Sequence, residues 1–75
     1  MNVSNGSRKV FRALQGLGDA TYQELSGFLG WAVNRVTWRV DELRRARKVV
    51  EGERRKCKVT GKRVKTWRIS DGATI

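Results

Sequence analysis

Gly30 separates two runs of apolar residues at helical spacing: Tyr22, Leu25, Phe28 and Leu29 before it, and Val36, Val40 and Leu43 after it. Glycine tolerates the left-handed backbone that ends one helix and turns the chain into the next. The helix before the turn reads "YQELSGFL" (22–29). Thr21 and Glu24 stand three apart at its start, the spacing at which a hydroxyl accepts from a helix-start N–H while the carboxylate reaches back. The helix after the turn is expected over Ala32–Arg47, with Val33 on the edge of its stripe. Its far face carries Asn34, Trp38, Asp41 and Arg45, with Thr37 on one shoulder and Arg35 and Glu42 on the other.

Upstream, Ser7 is placed to cap a first helix, "SRKVFRALQGL". In it Val10, Leu14 and Leu17 share a stripe beside Phe11, and Gly16 and Gly18 weaken and end it. "DAT" (19–21) is too short for an independent strand but can pair as an edge. After the third helix the period changes from 3.6 to 2. "KVVEGERR" gives a short strand, and "CKVTGKRVKTW" (57–67) forms a hairpin around Gly61-Lys62, with 54–69 as its full extent. A two-residue loop sets Val59 opposite Val64 and leaves Cys57 and Trp67 unpaired. A three-residue loop sets Cys57 opposite Trp67, with Val59 and Ile69 on the same face; it gathers the large apolar groups on one side and is the register expected. Residues 1–6 read as a disordered start, 7–69 as the folded domain, and 70–75 as a loose tail.

Seventy-five residues make one small domain with a thin core. With no His and one Cys, the chain cannot assemble a zinc site, a Cys/His nucleophile pair or an intrachain disulfide. Cys57 is expected to be a small, semi-buried strand residue. The seven acids form no convincing dyad and no glycine-rich phosphate loop precedes a helix, so no enzyme is expected, and no cofactor, metal or small-molecule ligand. "MNVSNGS" does not read as a signal peptide and no apolar run spans a bilayer. A soluble, cytoplasmic protein is expected, away from membranes. Charge speaks most loudly. Lys and Arg number 17 against 7 acids, and twelve of the 17 lie between Arg44 and Arg68, opposed there only by Glu51 and Glu53. With a pI near 11.2, this clustering is the electrostatic footprint of a nucleic-acid binder.

The order helix, stub strand, helix, glycine turn, long helix and basic hairpin resembles the winged helix-turn-helix domain of MarR-type and related bacterial and phage regulators, an α+β fold. "ATYQELSGFLGWAVNRVTWRVDELRRARKVV" (20–50) and the return strand "VKTWRI" (64–69) carry the resemblance. Leu25, Leu29, Val36, Val40, Leu43 and Val49 match its core spacing. Three positions depart from the pattern and bear on the helix ends. Ala32 stands where a Ser or Thr cap is frequent, Trp31 where a smaller aliphatic is usual, and Arg47 where a Gly is common. The Zα domains, winged helices that bind Z-form nucleic acid, use an Asn and an aromatic four apart, as in "NRVTW" (34–38). Aligned on the core stripe, however, that family's Asn falls on Thr37 and its aromatic on Asp41, and its wing prolines are missing.

The resemblance implies double-stranded DNA as partner and a role as a transcriptional or phage regulator, nucleoid-associated or in a phage-infected cell. The helix at 32–47 would enter the major groove. Asn34 would pair with adenine, Arg35 or Arg39 with guanine or phosphate, and Thr37 with a thymine methyl or a phosphate. Thr21, Tyr22 and Gln23 would sit near a phosphate at a helix start. Lys58, Lys62, Arg63 and Lys65 of the wing would neutralise further phosphates. Trp67 is expected in the core and Trp31 at the corner between helices. Trp38, opposite the core stripe, calls for a partner: a base or sugar, another subunit, or a host protein. The alternative function is accordingly a protein-interaction module docking on a polymerase, replication or defence protein through the Trp38 face. A monomer is expected in isolation, with a second copy on adjacent sites as a further partner.

Overall fold

The computed structural model describes residues 4–74. Three helices, α1 (Asn5–Leu17), α2 (Tyr22–Leu29) and α3 (Val33–Arg45), are joined to two small antiparallel sheets. The first sheet orders β1 (Asp19–Ala20), β5 (Trp67–Ile69) and β2 (Val49–Glu51), with β5 in the centre; the second pairs β3 (Arg55–Lys56) with β4 (Arg63–Val64). The expected loose start and tail fall partly outside the described residues, at 1–3 and 75.

α1 begins earlier than expected. Ser4, not Ser7, is its cap: the Ser4 hydroxyl accepts from the Ser7 N–H at 3.2 Å. The sequence points to Ser7 alone; a tertiary contact of Ser4 sets the start of the helix instead. The Ser4 N–H donates to Glu42 Oε2 at 2.8 Å, which fastens the start of α1 to α3, while Ser7 is buried inside the first turn. At the other end, Ser70 donates through its N–H to the Lys48 carbonyl and through its hydroxyl to that of Arg47, tying the beginning of the tail to the end of α3.

The core is assembled from Val10, Phe11, Ala13 and Leu14 of α1, Leu25 of α2, and Val36, Val40 and Leu43 of α3, closed by Ala20, Val49 and Trp67 of the sheet. Tyr22, Leu29 and Trp31 pack against its edge. Phe28, expected inside, is 62% exposed. Tyr22, Leu25 and Leu29 fill the inward arc of this short helix, and Phe28 projects about 90° from its centre at 100° per residue. Leu17, also expected in the core stripe, is 42% exposed beside Phe28 and Val59, with which it lines a shallow depression.

Helix ends follow local chemistry. Thr21 and Glu24 form the reciprocal capping box, and Gly30 terminates α2 with a φ of 71°. Ala32 supplies no side-chain cap to α3; instead Asn34 Oδ1 accepts from the Arg35 N–H at 2.9 Å. α3 stops at Arg45, two residues short of the expected end, because Arg47 turns left-handed at φ 61°. The Lys48 N–H then reaches the Leu43 carbonyl and the Arg47 N–H that of Arg44, the pair of bonds by which a glycine usually closes a helix.

The hairpin differs most from expectation. It starts at Val49, and Val49↔Ile69 and Glu51↔Trp67 set its first register. Arg55↔Val64 and Lys56↔Arg63 set the next, after Glu53 and Arg54 have opposed Lys65 alone. This bulge is held by Thr66, whose buried hydroxyl donates to the Glu53 carbonyl. It also requires glycine at 52, where a Cβ would lie 2.6 Å from the Thr66 hydroxyl. The tip is a loop over 57–62, closed by bonds from the Cys57 N–H to the Lys62 carbonyl and from the Gly61 N–H to the Cys57 carbonyl. Neither short-loop register forms. Trp67 is covered by Ala20 on one side and Glu51 on the other, Val59 is exposed at the tip, and Cys57 is buried outside any strand against Thr21, Sγ to Oγ1 3.1 Å.

A clamp joins this wing to the helices. The Arg55 guanidinium reaches Glu24 Oε1 at 2.6 Å and Asp19 Oδ1 at 3.0 Å, and Glu24 Oε2 also accepts the Lys58 N–H at 2.9 Å. The hydrogen bonds from Arg55 outweigh the opposing effect of burial and hold the Glu24 carboxyl down at about 2, against an ordinary value of 4.5.

Two outcomes are expected. A carboxylate moved from 4.5 to about 2 contributes about 3 kcal/mol, present above pH 4.5 and lost as the pH falls toward 2. Glu24→Gln should therefore lower stability at pH 7 by about 2–3 kcal/mol and flatten much of the acid loss in urea melts across that window; an unchanged acid limb would refute the clamp. Arg47→Gly removes a left-handed non-glycine residue and should raise stability by about 1 kcal/mol in the same assay.

Candidate nucleic-acid interface

α3 presents Asn34, Arg35 and Trp38 to solvent, with Trp38 74% exposed. The Arg35 guanidinium sits over the Trp31 ring, Cζ 4.1 Å from its centroid. Thr37 is half-buried and its hydroxyl donates to the Val33 carbonyl at 3.0 Å, one turn back. Arg39 stands apart from these residues. Its guanidinium points at α1, donating to the Ser4 hydroxyl at 3.2 Å and pairing with Glu42 at 3.5 Å. Arg39 is expected at guanine or phosphate, but α1 packs on the flank of α3 from which it projects.

Beside the exposed face of α3 opens a cleft of about 470 Å³ between the start of α2, the start of α3 and the wing. Tyr22 and Gln23 form one wall, Val33 meets them, and Arg54, Lys62 and Lys65 stand across from them. Tyr22 is fixed from behind by Trp67, ring centroids 5.8 Å apart, and burial pushes its phenol above its usual value, so it is a neutral donor at the cleft. Thr21 borders the same space, but its side chain is 1% exposed and its hydroxyl is engaged by the Glu24 N–H and Cys57 Sγ. It therefore builds the site and has no free hydroxyl to offer a phosphate.

The wing bases divide between two sides. Lys62 and Lys65 border the cleft, whereas Lys58 lines the depression of Leu17, Phe28 and Val59 on the opposite side of α2. Arg63 is exposed on β4, across from Lys56. Lys65 is partly engaged, 3.9 Å from Glu51 and with its ammonium 5.3 Å from the Trp67 ring centroid. No acid lies within ion-pairing distance of Arg54, Lys56, Lys58, Lys62 or Arg63 among the described residues. Arg54 was missed in the sequence because only the bulge turns it to the cleft while Arg55, its neighbour, turns inward. Arg55 was missed because its partners lie 31 and 36 residues away.

The arrangement suits a polyanionic strand: a rigid helix edge, helix-start N–H groups at α2, and a cationic arm facing them across a groove. Among the described residues, no helix is long and apolar enough to cross a membrane.

Residues 7–50 match the family model described as winged helix-turn-helix DNA-binding, which spans α1, α2, α3 and the first residues of β2. A comparison with curated proteins found no match. The family match covers more than half of the chain, the three helices and antiparallel sheets complete the architecture, and the protein belongs to the winged helix-turn-helix DNA-binding family.

Proposed function

We propose that the protein is a small transcriptional regulator that seats α3 in the major groove of duplex DNA and lays its wing along the flanking phosphates. The regulatory role, and action on the nucleoid of a bacterial cytoplasm or in a phage-infected cell, are drawn from the family resemblance. The observation that carries the reading is the placement of Arg54 and Lys62, which have no acidic partner among the described residues, across a cleft from the start of α2 and beside the solvent face of α3. A groove about 12 Å wide admits α3. Asn34, Arg35 and Trp38 then face base edges, Tyr22 and Gln23 flank one phosphate run, and Arg54, Lys62, Arg63 and Lys65 flank another. Arg39 is left to hold α1, and Thr37 to support the α3 backbone.

A second reading is favoured by the 74% exposure of Trp38: docking on a protein partner through that face. Trp38→Ala separates the two. The duplex reading expects it to weaken DNA binding, and the docking reading expects DNA binding to be unchanged.

Five to eight phosphate contacts give a slope of log affinity against log salt of about −4.5 to −7. Lys62→Glu with Arg63→Glu should reduce that slope by about two and weaken duplex binding at least tenfold at low salt, while circular dichroism shows an unchanged fold. Undiminished binding by the folded double variant would remove the wing from the interface.

A further inference from the structure

Arg35 is the one arginine of α3 without a carboxylate partner among the described residues. Arg39 pairs with Glu42, and Arg44 and Arg45 both pair with Asp41. It also makes no side-chain hydrogen bond there; its contact is the face of Trp31, at 4.1 Å. Stacking uses the flat face of the guanidinium and leaves its in-plane N–H donors free. A long side chain that is already stacked also loses less rotamer freedom when it docks. Of the neighbouring polar groups, the Asn34 side-chain oxygen already accepts from the Arg35 N–H, leaving its amide N–H groups free, and the Thr37 hydroxyl donates to the Val33 carbonyl.

Trp31 is suited to hold this arginine in place. It lies at the corner between α2 and α3, half-buried against the core edge, and the Ser26 hydroxyl donates to its carbonyl. Its ring is thus part of the rigid frame, and Arg35 follows four residues later on the first turn of α3.

We infer that Arg35 reads a guanine in the major groove, donating from two in-plane N–H groups to O6 and N7, and that Trp31 is its positioning residue. The inference rests on the duplex-binding reading above. It assigns direct base discrimination to Arg35, with the chemistry of a planar fork on two acceptors of one base edge. Lysine has no plane to stack on Trp31 and no rigid fork to present, so it is not an equivalent substitute here.

The test uses the full chain. Duplexes are first enriched from a randomised pool, and each guanine of the enriched site is then replaced by 7-deazaguanine, which lacks the N7 acceptor. For the wild type, one position is expected to lose about tenfold in affinity. Arg35→Lys should bind the unmodified site about tenfold more weakly and show no further loss with 7-deazaguanine. Trp31→Leu keeps an aliphatic group at the corner but no π face, and circular dichroism checks its fold. It should lose most of the guanine discrimination with its salt slope unchanged, whereas Trp31→Phe should retain it. Full discrimination by Arg35→Lys, or by folded Trp31→Leu, overturns the inference. So does salt-dependent binding without any enriched guanine, an outcome that leaves phosphate binding standing. Absence of salt-dependent binding to every duplex defeats the underlying reading instead.

Discussion

One carboxylate, Glu24, joins the helical half of the protein to its wing. It closes the capping box at the start of α2 by accepting from the Thr21 N–H, and it takes the Arg55 guanidinium and the Lys58 N–H from the wing. A hairpin of short strands has little stability of its own in water. Here its base is held by β5 at the centre of the three-stranded sheet, and its outer half by this clamp and by Cys57 buried against Thr21. Loss of the Glu24 charge would leave the partly buried Arg55 with Asp19 alone, and breaking such a pair costs more than the pair contributes. The orientation of the wing over the cleft therefore depends on the same residue that starts α2.

α3 is positioned differently, because it lacks the usual aids. Ala32 provides no cap, and Arg47 occupies a left-handed position that glycine fills at lower cost. The helix is fixed instead by burial of Val36, Val40 and Leu43, and by contacts of Arg39 and Glu42 with the start of α1. Its outer face is thereby freed of structural duty. A Trp as exposed as Trp38, and an Arg35 without an acidic partner among the described residues, are tolerated on that face because the other side of the helix supplies the packing.

Much of this was legible in the sequence. The capping box at Thr21 and Glu24, the turn at Gly30, the edge pairing of Asp19 and Ala20 and the burial of Trp67 each follow from local chemistry or period. Most of the failures share a cause, long-range contact. Ser7 reads as the cap of α1 because the contact that fixes Ser4 there comes from Glu42, 38 residues away. The hairpin register depends on a bulge stabilised by Thr66 against Glu53, and no turn signal at Gly61-Lys62 encodes it. Phe28 fits a helical stripe, yet a two-turn helix has room to bury only the centre of its arc. In the candidate interface, residue types were readable and directions were not. Arg39 and Lys58 carry suitable charges but point to other faces, and Arg54 gains its place from the bulge.

The acids explain why so basic a chain can fold and still offer a charged surface. Asp19, Glu24, Asp41 and Glu42 pair with arginines at joints between elements or along α3, so most of the negative charge lies away from the wing tip. At the tip the balance reverses. Lys56 and Arg63 stand directly opposite each other on paired strands, with Lys58 and Lys62 in the loop between them. Like charges in opposing strand positions are destabilising by a few tenths of a kcal/mol or more. The hairpin keeps this arrangement because the clamp and the buried Cys57 hold it from behind. A phosphate chain laid across the tip would remove the repulsion as well as supply attraction. The free wing is thus held in an arrangement that its own electrostatics disfavour.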